Sequence, residues 1–380
     1  APRVAFDWGR SLGALQGRAA ELFTLGGAAP KPGAMFRAPG QAEVLRRIAA
    51  DGRDAFYQGE VAEDMIASLR ALGGTHAAED FASAEAEWVE PVSGDYRGTE
   101  LVELPPNGHG AIAILMAQML ETWDLAALDP FGAERAHLEA EVTKLAYDAR
   151  DRFVADPARA AVRLTHLLSK DTAASLAALV DPEAAMEDPA PLSEEVHRET
   201  IYITVVDKDL MKVSLIYSIF SSFGSGLASD RFGILFQDRG LGFTLKAGHP
   251  NEAAGGKRPL HTIIPGMMRE GGETTRVFGV MGGPYQPCGH ARLMSNLVDY
   301  GMAPQAAIDA PRCFFDQRDG GLNVERGYPE AVRAALAAKG QRVNVPQTPI
   351  GGAQMITVDR SAGVLIGASD PRKDGAALGL

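Results

Sequence analysis

Thr200 opens the run Thr200-Ile-Tyr-Ile-Thr-Val-Val-Asp207, and the stretch 182–199 leads into it. Counted from Asp181, that stretch carries three prolines and seven carboxylates, the composition of a solvated linker rather than of a packed element. A hydroxyl residue opening a buried strand after such a linker is the arrangement of an N-terminal nucleophile. If the Glu199–Thr200 bond is cut, Thr200 holds both a hydroxyl and a free α-amine. The ordinary pKa of that amine, about 7.7 to 8.0, leaves part of it neutral near pH 7, so it can take the hydroxyl proton itself. The competing reading is that Thr200 simply starts a β-strand, as threonines often do. Acyl transfer also needs N–H donors for an oxyanion, placed where glycine lets a substrate come close. Val280-Met-Gly282-Gly283-Pro284 offers such a pair, although Gly-Gly alone reads equally as a plain turn.

The elements that must position these residues differ on the two sides of Thr200. Apolar spacing predicts helices over Gln41–Ala50, Glu60–Leu72, Ala111–Glu121, Glu134–Phe153 and Pro157–Leu168. Tyr96–Leu104 alternates like a strand and runs into the loop Pro105-Pro-Asn-Gly-His-Gly110. After Thr200, strands are expected over Val213–Phe220 and Gly233–Gln237, and a hairpin from Gln354–Asp359 and Val364–Gly367. Helices at Gly289–Tyr300 and Pro329–Lys339 complete that half. A helical first part joined to a strand-rich second part points to sheets covered by helices in one layered unit.

Composition narrows the function. The 380 residues are 46% hydrophobic and 23% charged, with a net charge of −12. That balance suits a soluble globular chain and argues against a nucleic-acid partner, which needs clustered Lys and Arg. The longest apolar runs fall short of the roughly 20 residues that span a bilayer, so no membrane role is expected. Ala1-Pro-Arg-Val lacks the charged-then-apolar order of a signal peptide, which leaves the compartment open between cytoplasm and periplasm. Cys288 and Cys313 are the only cysteines and are expected to be core side chains. His, Asp and Glu do not cluster at ligand spacing, so neither metal nor organic cofactor is expected.

The ordered blocks Thr200–Asp209, Val213-Ser214, Phe223-Gly-Ser-Gly226, Gly233-Ile-Leu235, Gly256–Leu260, Met281-Gly-Gly283 and Gly367–Ala376 resemble the γ-glutamyltranspeptidase family, as do Pro105–Gly108 and Ala149–Pro157. The resemblance implies an α+β, four-layer αββα N-terminal-nucleophile hydrolase. It would cleave itself before Thr200 into a large-subunit portion, 1–199, and a small subunit, 200–380, that remain one folded unit. By position, Thr200 would be the nucleophile, Ser218 its supporting hydroxyl, and Gly282 and Gly283 the oxyanion donors. The substrate pocket departs from the γ-glutamyl pattern. Phe220 stands where those enzymes place Asn, Gly242 where an Asp holds the substrate amine, Arg239 for a Gln, and His261-Thr262 for paired serines. Loss of the carboxylate facing an ammonium removes a contact worth about 1.5 to 3 kcal/mol.

Arg239 offers a planar fork for a carboxylate, and Gln237-Asp-Arg239-Gly240 is similar to the motif of relatives that hydrolyse small amides such as oxamate. A surface ion pair is the plainer role for Arg239, and a bond to a backbone carbonyl the plainer one for His261. The family's usual N-terminal stretch, with sheet strands and a carboxylate-binding arginine, is not in this sequence. The expected activity is hydrolysis, with transfer second, of a γ-glutamyl or other small carboxylate-bearing amide; a β-lactam side-chain amide fits the same chemistry. The expected partners are the substrate and the two fragments of one precursor, with a homo-oligomer left open. The alternative is an uncleaved, non-catalytic member acting as a binding protein.

Overall fold

The computed structural model describes residues 1–187 and 201–379. Glu199 and Thr200, with linker residues 188–198, lie outside the described residues. The chain forms two compact units, one from residues 1–88 and 219–239 and the other from 89–218 and 240–380. Each draws on sequence from both sides of position 199/200.

In the second unit the chain runs β1 (Val92–Tyr96), β2 (Thr99–Glu103), β3 (Ile201–Val206), β4 (Lys212–Tyr217), β5 (Gly266–Glu270) and β6 (Glu273–Met281), then β7 (Cys313–Asp316), β8 (Gly321–Val324), β9 (Val343–Asn344), β10 (Gly352–Asp359) and β11 (Val364–Ser369). Six of these form an antiparallel sheet in the order β1-β2-β5-β6-β10-β11. β3 pairs with β4, and β7, β8 and β9 form a third sheet. The six-stranded sheet is covered by the helix Gly110–Leu120, every residue of which is buried, and by the helix Gln286–Val298. Ile112, Leu115, Met294, Phe278 and Met355 belong to one continuous core there.

The helices expected around 41–50, 60–72, 111–121, 134–153, 289–300 and 329–339 are present within a few residues of those bounds, and β10 and β11 form the expected hairpin. Four expectations need correction. The single strand over 96–104 is a hairpin, because Arg97 and Gly98 take φ of 50° and 85° and turn the chain between Tyr96 and Thr99. The helix over 157–168 shrinks to Leu164–Leu167, since Asp156 accepts from the amides of Ala158 and Arg258 and holds that segment in a turn. No strand forms over 233–237. That segment folds back on 225–229 through Ser225 N–H to Phe236 O and Phe236 N–H to Leu227 O, leaving one bridge at Ala228–Leu235. Finally, β3 is buried on one face only: Tyr202 points inward, whereas Ile203 and Val205 are exposed together with Val213, Leu215 and Tyr217 of β4.

Candidate active site

The structure carries the head of β3 onto the end of β6. Tyr202 lies with its ring directly against Gly279, where any Cβ would run into it. Its hydroxyl is 2.6 Å from Ser214 Oγ, which in turn donates to Gly266 O and Phe278 O. β3 and β4 are thereby buttoned to β5 and β6. The pairing of Ile201 with Tyr217 puts half-buried Ser218 one residue beyond the register partner of the first described residue after Thr200.

Three residues past Gly279 the strand ends in the glycine pair. Gly282 has φ 136° and Gly283 φ 56°, backbone states that disfavour side chains. A Cβ on Gly282 would sit 2.9 Å from Gly351 Cα, and one on Gly351 would sit 2.5 Å from Met281 O. Gly282 therefore occupies a place where only bare backbone fits. A short turn, Gly283–Tyr285, then starts the helix Gln286–Val298. Tyr147 on the helix Ala133–Phe153 donates its hydroxyl to Pro284 O and lies 3.2 Å from Cys288 Sγ. Burial pushes the Tyr147 phenol well above its ordinary pKa and the Cys288 thiol up to about 11. Both stay protonated, and Cys288 and Cys313 are buried free thiols, as core side chains should be.

His261 and Thr262 sit on a seat built by the Pro105–Gly110 loop. Asn107 Nδ2 donates to Pro259 O at 2.6 Å, its carbonyl accepts from His261 N–H at 3.2 Å, and the imidazole lies against Gly108, 2.8 Å from where a Cβ would stand. His109 is fully buried and donates Nε2–H to Thr262 O at 2.9 Å. Burial, helped by the Arg150 charge, holds its pKa well below the usual histidine value, so it stays neutral. Gly242 faces the same segment: a Cβ there would run into Leu260 O. Asn251 locks the contact, giving Nδ2–H to Gly242 O at 2.5 Å and accepting Leu260 N–H at 3.0 Å.

Phe220 and Arg239 belong to the other unit. The Arg239 guanidinium lies 5.4 Å from the centre of the Phe220 ring, half-buried, and burial lowers its pKa against the pull of Asp238. Phe220 is buried with φ 84°, a strained state for a bulky side chain. Asp238 holds it there by accepting Ser221 N–H at 3.0 Å and giving its own N–H to Ile219 O at 3.2 Å. Asn107, His109, Asn251 and Asp238 are supporting residues that sequence reasoning missed. The Pro105-Pro-Asn-Gly block and the Gln237-Asp-Arg239-Gly240 motif were the available signals. Among the described residues, no three metal-ligating side chains converge and no helix is long and apolar enough to cross a membrane.

A solved cephalosporin acylase from Bacillus halodurans matches this chain with a TM-score of 0.90 and 34% identity, over 99% of this chain and 70% of that one. The likeness gives the chain the α+β fold of the N-terminal-nucleophile hydrolases. The sequence profile described as Gamma-glutamyltranspeptidase matches residues 3–380, and the chain belongs to that family. It is 36% identical to a glutathione hydrolase-like proenzyme, YwrD, of Bacillus subtilis strain 168, over 95% of this chain and 69% of the relative. An oxamate amidohydrolase proenzyme of Klebsiella pneumoniae is 32% identical, over 94% and 68%. A glutathione hydrolase proenzyme of Escherichia coli is 33% identical, over 87% and 59%. As expected from its sequence, the chain falls among amidohydrolases of this family.

Proposed function

We propose that this chain is a self-processing threonine amidase whose preferred acyl group is small and carries a carboxylate. The observation that carries this reading is the packing of Tyr202 on Gly279, which brings the strand following Thr200 to the strand that leads into Gly282 and Gly283. After the Glu199–Thr200 bond is cut, Thr200 Oγ attacks the amide carbonyl while its proton passes to the Thr200 amine. Gly282 and Gly283 N–H groups hold the oxyanion. The leaving amine takes the proton, and water then attacks the ester to release the acid and restore Thr200. Ser218 supports the nucleophile by hydrogen bonding.

The substrate class follows from the pocket residues. Gly242 has no room for the carboxylate that would hold a substrate ammonium, which disfavours a γ-glutamyl group. Arg239, laid on the Phe220 ring, offers a cation suited to a substrate carboxylate. The two fragments are expected to stay together, because β2 comes from before the cut and its sheet partner β5 from after it.

An intact-mass spectrum under denaturing conditions tests processing: two fragments meeting at Glu199/Thr200 are expected, and one unbroken chain would make this a precursor or a binding protein. Thr200→Ala should abolish both self-cleavage and amide turnover. Turnover retained in that variant would remove the mechanism.

A further inference from the structure

The strand β6, which leads into Gly282, is held unequally along its two edges. On one edge β10 pairs with it as far as Met281, opposite Gly352. On the other, β5 begins at Gly266, opposite Phe278, so the ladder stops two residues short of Val280. Two side chains of the helix Gln286–Val298, one turn apart, take over where the strands diverge. Gln286 Oε1 accepts Ile264 N–H at 3.1 Å, and His290 Nε2 accepts Val280 N–H at 3.3 Å.

A backbone N–H has only one role, so His290 Nε2 must be the bare nitrogen and the ring proton must sit on Nδ1. Nδ1 is 2.5 Å from Glu103 Oε1, at the end of β2, and both side chains are wholly buried. Gly266 makes space for this ring: a Cβ there would be 3.0 Å from His290 Cε1. Burial raises the Glu103 carboxyl above its ordinary pKa, with His290 pulling the other way. Its second oxygen has no hydrogen-bond partner among the described residues. A buried carboxyl with an unbonded oxygen is a poor way to fill a core, where an apolar side chain would serve better.

We propose that Glu103 and His290 are positioning residues for the oxyanion turn. Glu103 fixes the tautomer and tilt of the imidazole, and His290 fixes the Val280 amide. Gly282 is the next residue but one, so its amide height on the same edge of the chain follows from that of Val280. The inference rests on Gly282 and Gly283 serving as oxyanion donors. Neither Glu103 nor His290 needs to touch substrate.

The test compares Glu103→Gln, Glu103→Leu and His290→Phe in the full, processed protein, with oxamate and γ-glutamyl-p-nitroanilide as probes. Glu103→Gln keeps an acceptor for Nδ1–H and should hold kcat within about threefold of the parent. Glu103→Leu and His290→Phe should lower kcat by about 10- to 100-fold with KM little changed, since a small shift of an oxyanion donor acts on the transition state. A kcat in His290→Phe equal to the parent's overturns the proposal, as does a fall in kcat matched only by loss of folded protein. The tautomer is read separately by 15N-histidine NMR of the parent. Nε2 unprotonated is expected, and an Nε2–H signal for His290 overturns the relay. Thr200→Ala turnover reports on the amidase reading alone and the His290 tautomer on the relay alone, so the two fail separately.

Discussion

The end of β6 and the segment 219–242 solve opposite problems. Around Gly282 the backbone is enclosed: Gly351 lies behind it, Tyr147 holds Pro284, and His290 holds Val280. Around Phe220 and Arg239 the chain is irregular, with a phenylalanine in a left-handed backbone state and an arginine laid on its ring. In the first region a Cβ on Gly282 or Gly351 would meet the neighbouring backbone, so a side chain added there is felt at once. The second is a loop pinned by a few bonds from Asp238, where one side chain can replace another without disturbing a sheet. On the reading proposed above, the glycine pair directly follows a sheet strand, whereas Phe220 and Arg239 lie in irregular chain. The departures from the γ-glutamyl pattern fall at Phe220, Arg239, Gly242, His261 and Thr262, all outside the named strands.

The largest expected effect breaks the rigid region. Gly282→Ala places a Cβ 2.9 Å from Gly351 Cα on a backbone at φ 136°. It should lower kcat by about 100-fold or more through a displaced donor, read by steady-state kinetics on protein shown to be folded. Parent-like turnover would show that this turn tolerates movement, and the contrast between the regions would fall.

Gly242→Asp tests whether the pocket is one substitution away from a γ-glutamyl site. Because its Cβ meets Leu260 O, the variant should lose about 1 to 3 kcal/mol of stability in a denaturant melt and gain no γ-glutamyl preference. A stable variant with improved γ-glutamyl turnover would place this segment among the adaptable ones.

The smallest effect sharpens the other side. Arg239→Ala should raise KM for a carboxylate-bearing amide about tenfold more than for a neutral one, the scale of a lost charge-assisted hydrogen bond, with kcat less affected. Equal changes for both substrates would take Arg239 out of the pocket.

Much of this was legible because period and punctuation are local. The helix over 134–153 could be read from its spacing, yet its charges mislead: Arg135, Glu139, Glu141, Lys144 and Arg150 are buried. Arg135 and Arg292 both bond Glu139, and Lys144 pairs with Glu141, so partners one turn away on the same helix, and Arg292 from far along the chain, make burial tolerable. The hairpin at Arg97-Gly98 was missed because arginine gives no warning of a positive φ. Glu103 and His290, 187 residues apart in sequence, carry no local signal at all.

The sequence by itself determined the order of the elements, the family, and the residue types able to attack, donate and bind, since each depends on neighbours a few residues away or on blocks that keep their order. Tertiary structure alone decided that Tyr202 meets Gly279, that Gly242 has no room for a side chain, and that one imidazole holds the strand leading to Gly282. Those facts arise from non-local packing, where atoms brought together by the fold exclude one another or share a proton, and no spacing along the chain encodes them.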